Sequence, residues 1–418
     1  MSASVTDEEL ALAGAVEGDQ PSPLAPLRER TYRRYFIGNV LSNLGSFCQA
    51  IAQSLLVYDL TGSSFLVGVV NFAQFIGVLV LAPWTGVAAD RYDRRKLIIV
   101  TQLGAGVITG VLTIISAAGL ATAPVVIVAA GLLGIMAAFA MPAFRAMIPQ
   151  LVSSRNLGRA VNLDSVAVNL ARALGPVGGA ALVASLSPTW AFGINSLSFF
   201  VLCICLAGVH PKPQPPASGH VRFRDSLRSV RARPELAAML FIIAACAVAA
   251  DPATTLSPEA AASFGGGETL AGVILGGFGA GAVLGAFVAG AESARHHRKV
   301  AILLSLVVIG LVTFALSPWL GPALLGMVLA GFGYLASQTR TSTMMYRRIG
   351  AQERGRIMAV WSVAFIGIRP LASLADGAIA SWAGYQVATL VMTLPAAVAV
   401  FISLALGRRT EVVPDSVP

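Results

Sequence analysis

Charged residues are scarce in this chain. Lysine, arginine, aspartate and glutamate together make up 12% of its 418 residues, and the mean hydropathy is +0.77. A soluble domain has about 25% charged residues, so this chain lacks the polar surface that a soluble protein of its size needs. We therefore exclude the soluble classes and read the length as a series of membrane spans.

Lysine is rarer still, because the chain contains only Lys96, Lys212 and Lys299, and none of them follows a glycine. A phosphate-binding loop of the form G-x-x-x-x-G-K is therefore absent, which excludes an ATP-driven pump of that type. The four histidines lie in polar connections and the four cysteines lie in apolar runs, so neither type is arranged to bind a metal. We accordingly expect no cofactor, no metal site and no enzymatic activity.

The first 30 residues lack the basic start and the apolar stretch of a cleavable secretory signal. They contain several acidic residues and three prolines instead. We predict a disordered cytoplasmic tail over residues 1–30.

Long apolar runs fill most of the remaining chain. A spanning helix needs about 20 mostly apolar residues, and lipid offers no partner for bare backbone, so each run is predicted to be a helix. The predicted spans are residues 35–58, 65–88, 97–118, 124–144, 160–184, 189–209, 236–256, 269–290, 300–317, 322–344, 358–381 and 385–407. The predicted fold class is thus an all-α membrane protein with twelve transmembrane helices.

The basic residues predict the orientation of these spans. Outside the spans, every lysine and arginine lies in one of the two tails or in the connections that follow the even-numbered spans. The charged residues of the other connections are acidic, among them Asp59, Glu259 and Glu268. This alternation follows the positive-inside rule and places both termini in the cytoplasm, with the protein in the inner (plasma) membrane. It also argues against nucleic-acid binding, because the net charge of +9 is divided among separate segments.

The longest polar connection divides the spans into two sets of six. A faint repeat relates the sets, because Gly158-Arg159 precedes the fifth span as Gly355-Arg356 precedes the eleventh. Two related six-helix halves are typical of transporters built from parallel repeats. We predict an N-terminal six-helix bundle over residues 31–209, a cytoplasmic linker over 210–234, a C-terminal six-helix bundle over 235–408 and a cytoplasmic tail over 409–418.

The connection between the second and third spans is short and rich in charge. A loop this short forces two helices into an antiparallel hairpin, and its glycine lets a neighbouring helix approach closely. Its charged residues are expected to latch the cytoplasmic ends of the two halves in one state; the alternative is a simple positive-inside hairpin. The residues of this predicted gating loop are Gly86, Asp90, Arg91, Arg94 and Arg95.

This loop resembles the G-x-x-x-D-R-x-G-R-R loop of the major facilitator superfamily, with Asp93 in place of the second glycine. Residues 58–63, 144–152 and 162–179 resemble one branch of that superfamily, which contains enterobactin exporters and macrolide efflux pumps. The resemblance covers residues 31–405. It implies a transporter whose first, fourth, seventh and tenth helices line a central cavity, with the fifth and eleventh helices beside it.

The fifth span contains Gly175, Pro176, Gly178 and Gly179. Proline removes a backbone hydrogen bond and glycines permit tight packing, so this segment is predicted to be a bendable packing site. It resembles the fifth-helix motif of drug/proton antiporters, which implies coupling to protons. The alternative is an ordinary kinked packing helix.

Polar residues recur at steps of three and four along four spans, so that each set shares one helix face. Polar faces avoid lipid, and four of them drawn from both halves favour a central water-filled cavity over contacts between helices. The faces comprise Asn39, Ser42, Asn43, Ser46, Gln49 and Gln53; Asn162, Ser165, Asn169 and Arg172; Tyr334, Ser337, Gln338 and Thr341; and Ser362, Arg369, Ser373 and Asp376. Arg340 also lies within a span, and Trp361 and Phe365 are candidates to contact an amphipathic substrate.

Charged residues inside spans are costly, at about 2.5–3.5 kcal/mol each at mid-helix, and therefore indicate function. Asp251 lies beside Pro252, where the seventh helix is expected to break, and is the first candidate for a carboxylate that carries protons. Arg369 and Asp376 are seven residues apart on one face, so they are placed to pair, which would make them structural. Asp164 is the weakest candidate, because it lies off the polar face of its own helix; its alternative is a packing or capping role.

These features together favour a secondary transporter that exports a small molecule, such as a siderophore, a drug or a metabolite, in exchange for protons. Its expected partners are that substrate, protons and the lipid bilayer, and we expect it to act as a monomer. Two alternatives stay open: a proton-coupled importer of a small polar nutrient on the same fold, and a membrane receptor or scaffold without transport.

Overall fold

A computed structural model describes residues 22, 24–209, 211, 228, 230–290, 297–349, 357 and 360–411 of this chain. The first half consists of α1 (Arg30–Thr61), α2 (Ser64–Arg91), α3 (Arg94–Ala117), α4 (Ala123–Leu151), α5 (Leu157–Ser185) and α6 (Pro188–Ala207). In the second half, α7 (Pro234–Ala249) is followed by two short helical segments (Asp251–Thr255 and Ser257–Ser263), then by α8 (Glu268–Gly290), α9 (His297–Leu316) and α10 (Leu320–Arg348).

The last apolar segment contains two spans. It runs over 49 residues, Val360–Arg408, and begins with a π-helical turn, Val363–Gly367. One helix of that length would extend about 73 Å, more than twice the thickness of the bilayer core. Gly384 has a positive φ of 83° and a ψ of 161°, so it separates α11 (residues 369–383) from α12 (residues 385–411). With the ten other helices that are long and apolar enough to span, the structure confirms the predicted fold class of twelve transmembrane helices.

Prolines, glycines and capping side chains mark the helix ends. Pro188 and Pro234 are the first residues of α6 and α7, where the missing N–H is not needed. Gly62 ends α1 in the left-handed conformation, with a φ of 62°. The carboxylate of Asp93 accepts a hydrogen bond of 2.9 Å from the backbone N–H of Lys96 and so caps α3.

The two halves pack against each other through α2 with α11 and through α5 with α8. At the first of these contacts the helix backbones touch without intervening side chains. A Cβ atom at Gly68 would contact the carbonyl oxygen of Ser373, and one at Gly377 would lie 3.1 Å from the Cα atom of Phe65. Only glycine permits this approach at both positions, so the junction of the halves depends on it.

The predicted tails and linker lie mostly outside the described residues, namely at 1–21, 23, 210, 212–227, 229 and 412–418. Where the structure describes them, it differs from the prediction. Ala25–Arg28 form a 3-10 turn, and the Glu29 carboxylate accepts hydrogen bonds from Ser153 and Asn156. The predicted disorder therefore does not reach residues 25–29. The last helix continues past residue 408 to Glu411.

Candidate functional site

A cavity of about 330 Å³ lies between the two halves. It extends from the middle of the helices towards the side on which α1 begins and α12 ends, which we call the terminal side. Helices α1, α2, α4 and α5 form most of its wall, and the second half contributes Phe365, Ile366 and Arg369. The wall contains the whole predicted polar face of α1: Asn39, Ser42, Asn43, Ser46, Gln49 and Gln53.

Part of this polar face also binds neighbouring helices. The Gln49 side-chain oxygen accepts hydrogen bonds from Asn195 of α6 at 2.5 Å and from Thr109 of α3 at 3.3 Å. The Ser42 hydroxyl donates to Gln102 of α3 at 3.3 Å. The face thus joins α1 to its own half as well as lining the cavity. Both explanations of the polar pattern therefore apply: a water-filled cavity and contacts between helices.

Asp164 of α5 lies in the cavity wall, opposite α1. Its carboxylate accepts hydrogen bonds from Asn39 at 2.9 Å and from the Tyr35 hydroxyl at 3.3 Å. On the same helix, Val168 and Arg172 follow at steps of four and also line the cavity. The ranking of Asp164 as the weakest candidate is therefore not supported by its position.

The rest of the predicted polar face of α5 points elsewhere. Asn162 and Ser165 are exposed on the outside of the helix, and the Ser165 hydroxyl donates to the Val161 carbonyl of its own helix. The Asn169 side chain lies outside the described atoms. The cavity-facing stripe of α5 begins at Asp164 and not at Asn162, because the helix is rotated relative to the predicted face.

The glycines of the α5 motif lie against α1. Cβ atoms at Gly175 and Gly179 would contact Phe47 and the Cys48 carbonyl oxygen, and one at Gly178 would lie 3.6 Å from the Cys48 sulfur. The Cys48 thiol donates to the Gly175 carbonyl at 2.9 Å. Pro176, within the same helix, lines a second cavity. The motif is thus a close packing site, as its composition predicts.

The second cavity measures about 90 Å³ and adjoins the first between α1, α5, α8 and α10. Phe47, Phe75, Arg172 and Arg369 line both cavities and mark their junction. The Arg172 guanidinium carbon lies 5.3 Å from the ring centre of Phe365 and 5.8 Å from that of Phe47. The Arg369 guanidinium carbon lies 5.3 Å from the ring centre of Phe75. Aromatic faces attract these cations and hold them in the wall.

Arg369 pairs with Asp251 and not with Asp376. The Arg369 Nε atom lies 3.8 Å from an oxygen of Asp251, whose side chain is almost fully buried and accepts a hydrogen bond from Thr255 at 2.9 Å. Asp376 is completely buried, and neither of its carboxylate oxygens has a hydrogen-bond partner among the described residues. The prediction of an Arg369–Asp376 pair is wrong, because the break of the seventh helix brings Asp251 next to Arg369. That break occurs at Ala250, two residues before Pro252, where the sequence predicts it.

Of the candidate substrate-contact residues on α10 and at the start of the eleventh span, some line a cavity and others are buried within the helices. Phe365 lies in the wall of the large cavity, and the Trp361 ring stacks on it with 5.1 Å between ring centres. The Trp361 N–H donates to the Ser342 hydroxyl at 3.1 Å, which fixes the stack. Gln338 and Arg340 are buried in α10, each 6% exposed, and belong to the wall of neither cavity. Their predicted cavity position therefore stays a prediction.

The arginines of the loop between α2 and α3 bind helix ends within the first half. Arg94 donates to the Ala146 carbonyl of α4 at 3.0 Å. Arg95 donates to the Leu206 carbonyl at 2.8 Å and to the Ala207 carbonyl at 2.6 Å, at the end of α6. Cations at helix C-termini satisfy free carbonyls and oppose the helix dipole.

These bonds support the α2–α3 hairpin, whereas the sequence predicts a latch between the two halves. Arg91 is exposed, and the structure does not describe the surroundings of Gly86 or the side chain of Asp90. A bond that joins the halves on this side runs from Arg145 of α4 to the Ser362 hydroxyl, at 3.2 Å.

On the side opposite the termini, polar side chains join the halves. The Glu259 carboxylate of the second half accepts hydrogen bonds from the Ser64 hydroxyl of α2 and, at 3.0 Å, from the Tyr385 backbone N–H. Asn71 of α2 donates to the Thr255 hydroxyl at 3.3 Å. Together with the glycine contact of α2 and α11, these bonds close the cavity off from that side.

The described residues contain no group of three metal-binding side chains. A polar cavity between two six-helix halves is instead the architecture of a transporter. The family model for transmembrane secretion effectors matches residues 21–416. The chain belongs to the transmembrane secretion effector family. It is a multi-pass membrane transporter of the major facilitator superfamily.

Curated relatives of this transporter include two proteins named for siderophores. The Staphyloferrin A transporter of Staphylococcus aureus (strain NCTC 8325 / PS 47) is 27% identical over 180 residues, which is 43% of this chain and 45% of that protein. The enterobactin exporter EntS of Shigella boydii serotype 4 (strain Sb227) is 27% identical over 193 residues, which is 44% of each chain. The matches thus span less than half the length of either relative.

Solved structures show the same fold over nearly the whole transporter. A bacterial homologue of the human lysosomal transporter Spinster, in an inward-facing and unoccupied conformation, has a TM-score of 0.72 at 14% identity and covers 94% of this chain and 98% of that one. The nucleoside transporter NupG has a TM-score of 0.67 at 12% identity and covers 90% and 98%.

Sequence reasoning missed several residues of the cavity wall. Tyr35, Phe47, Phe75 and Arg145 line the large cavity, and only the charge of Arg145 distinguishes it in the sequence. An aromatic residue in an apolar span gives no sign of whether it faces lipid or a cavity. The Asp164–Arg172 stripe did carry a signal, because both residues are charged and lie eight positions apart, two helical turns on one face.

Removing the Glu259 carboxylate is expected to open the transporter on the side opposite the termini. Glu259→Ala deletes the hydrogen bond from Ser64, which joins the halves and is worth about 1.5–3 kcal/mol because its acceptor is charged, together with the bond from Tyr385 within the second half. We expect the open state to rise at least about ten-fold, because 1.4 kcal/mol is a factor of ten. The measurement is the rate at which a maleimide labels Ser54→Cys, which lines the small cavity, in detergent-solubilised protein.

The matched control for this prediction is Glu268→Ala, an acidic residue of the same side at the start of α8. The control should leave the labelling rate of Ser54→Cys unchanged. Equal labelling rates in the Glu259→Ala and Glu268→Ala proteins would show that Glu259 does not hold the halves together.

Proposed function

We propose that this transporter exports a small molecule from the cytoplasm by alternating access, in exchange for protons that flow inward. The observation that carries the proposal is the cavity of about 330 Å³ between the halves, which polar and charged side chains line. Such side chains are costly next to lipid, so they favour a water-filled substrate path. Closure of the opposite side by Glu259 is expected of one state in a cycle that exposes the site to each side in turn.

The terminal side is the proposed cytoplasmic side. Its tails and connections contain the arginines that lie outside the spans, among them Arg94 and Arg95, whereas Glu259 and Glu268 lie on the opposite side. The positive-inside rule then places both termini in the cytoplasm and the protein in the plasma membrane. The large cavity would thus receive substrate from the cytoplasm, as an exporter requires. Each chain contains its own cavity, which supports action as a monomer.

Asp251 is the proposed proton carrier. Its bond to Arg369 holds that guanidinium in the wall of both cavities, next to Phe75. Protonation of Asp251 removes the charge that holds Arg369, so the wall of the substrate site changes when the proton binds. In this proposal Arg369 contributes to the substrate site only while Asp251 holds it in place, so protonation of Asp251 releases the substrate. Substrate and proton then occupy the carrier in alternation, which is antiport. Asp376 is the acidic group near Asp251, and Glu259 in turn lies near Asp376.

Siderophores are the first substrates to test, because the two relatives named above are a Staphyloferrin A transporter and an enterobactin exporter. Drugs and secreted metabolites are the next classes. The fold is compatible with all three substrate classes, and the residues that line the cavity determine which class binds.

Flux in inside-out membrane vesicles tests the proposal. An acidic lumen should drive radiolabelled substrate into vesicles that contain the protein, and a protonophore should abolish that uptake. Uptake into right-side-out vesicles or cells in place of inside-out vesicles would identify an importer. Absence of flux under every gradient would favour a receptor or scaffold. Accumulation of siderophores and antibiotics in a deletion strain selects the compounds to use.

A further inference from the structure

The charges at the junction of the two cavities are not balanced. Asp251 is bound to Arg369, and Asp164 accepts hydrogen bonds from Tyr35 and Asn39. Arg172 forms no ion pair with any acid in the part of the chain that the structure describes, and its Nε atom is buried without a hydrogen-bond partner there. The charged groups that act on it are Arg369 and Arg145, both positive, and its polar neighbour is Tyr334.

Arg172 is partly exposed to the cavities, so water offsets part of the cost of its charge, but the buried part of its guanidinium has no acid beside it among the described residues. Its place in the wall of both cavities lets a ligand from either reach it. An anionic ligand would supply the missing charge. The planar guanidinium offers paired N–H groups that match a carboxylate or another group with two oxygens.

Aromatic rings surround the same guanidinium. Phe47 and Phe365 lie within 6 Å of it, and the stack of Trp361 on Phe365 holds one of these rings in place. Phe75 lies against Arg369 across the junction. A ligand whose anionic group reaches Arg172 would therefore place its body among aromatic rings, which favours a ligand that is itself planar or aromatic.

We propose that Arg172 binds the anionic group of the substrate, and that the substrate class of this transporter is aromatic organic anions. The inference rests on the proposed function, since it assigns the substrate of the same cavity. Arg369 lies beside the same site, but Asp251 balances its charge, so Arg172 is the cation available to the ligand. The cationic and neutral drugs of the wider set of candidates are then poor substrates.

Two dyes with the same fused-ring system and opposite charge test the inference. Fluorescein is an anion and rhodamine 123 is a cation, and fluorescence anisotropy with the purified, detergent-solubilised protein measures the binding of each. We expect fluorescein to bind at least about ten-fold more tightly than rhodamine 123, since a charge-assisted hydrogen bond is worth about that factor or more. Equal affinity, a preference for rhodamine 123 or no binding of either dye would overturn the inference.

Variants separate binding by Arg172 from a structural role. Arg172→Gln should lower the affinity for fluorescein at least about ten-fold and leave that for rhodamine 123 within about two-fold, whereas Arg172→Lys should retain part of the preference. The matched control is Arg159→Gln, a partly exposed arginine of the same helix that lines neither cavity, and it should change neither affinity. If Arg172→Gln lowers the affinity for both dyes to the same extent, the site is misfolded, and a role of Arg172 in charge selection is contradicted.

The proposed function and this inference fail in different measurements. Binding of fluorescein through Arg172 without flux in inside-out vesicles would support the anion site and contradict the transport proposal. Export of substrate by a protein that prefers rhodamine 123 would support the transport proposal and contradict the anion site.

Discussion

Asp251→Asn is expected to abolish proton-driven export while the protein still folds and reaches the membrane. Asparagine has nearly the same shape as aspartate, and its amide oxygen can still accept the hydrogen bond from Thr255. It can neither take up a proton in the physiological range nor hold Arg369 by charge. Because Arg369 lines the cavities and is not sealed in the core, the unpaired arginine retains access to water. The expected loss is therefore one of coupling and not of structure.

The measurement is export in proteoliposomes after a pH jump, normalised to the amount of reconstituted protein. We expect the pH-driven rate of Asp251→Asn to fall more than about ten-fold, whereas exchange of labelled for unlabelled substrate at equal pH persists. Exchange needs the substrate site and the movement of the halves but no proton transfer. Unchanged pH-driven transport would remove Asp251 as the carrier.

The control for this prediction is Asp376→Asn. Asp376 is the other deeply buried acid of the second half, and it has no cation partner within the described structure. If Asp251 is the carrier, Asp376→Asn should still respond to the pH jump. The opposite result, with coupling lost in Asp376→Asn and retained in Asp251→Asn, would assign the proton to Asp376.

The twelve spans were predictable because each rests on a local property. An apolar run of about 20 residues must be a helix in lipid, and the alternation of basic connections fixes the number of crossings. The gap between the last two predicted spans, residues 382–384, coincides with the non-helical Gly384. The break of α7 next to Asp251 was predictable for a similar reason, since Pro252 cannot continue the hydrogen bonds of the helix.

Contacts between helices were much less predictable. The spacing of Arg369 and Asp376 shows that they share one helix face, but the partner of Arg369 comes from α7. The polar face of α1 was found from its spacing, whereas the role of Gln49 in binding α3 and α6 depends on the rotation of three helices. Phe47 and Phe75 became part of the site only because two arginines lie against them.

Gly68→Val is the second substitution with a large expected effect, and it acts far from the charged residues. In the present state the α2 backbone at Gly68 touches the α11 backbone at Ser373 and Gly377. Even one added carbon would overlap the Ser373 carbonyl oxygen, so a valine would force the two helices apart. Since these helices belong to different halves, the side opposite the termini could not close. Transport needs both states of the cycle, and we expect export to fall more than about ten-fold.

The state of the halves can be measured directly. Asp59 and Gln386 are exposed on the same side of the protein in different halves, so spin labels at these two positions report the distance between the halves. A Cys205→Ser background removes the one native cysteine that is not buried. We expect the Gly68→Val protein to show only the longer distance, while the parent shows a mixture or the shorter one. The matched control is Gly131→Val on α4, where an added Cβ would meet nothing closer than the Ala73 side chain at 3.9 Å. If Gly68→Val exports at the parental rate with the shorter distance intact, the contact of α2 with α11 is not the closure on which alternating access depends.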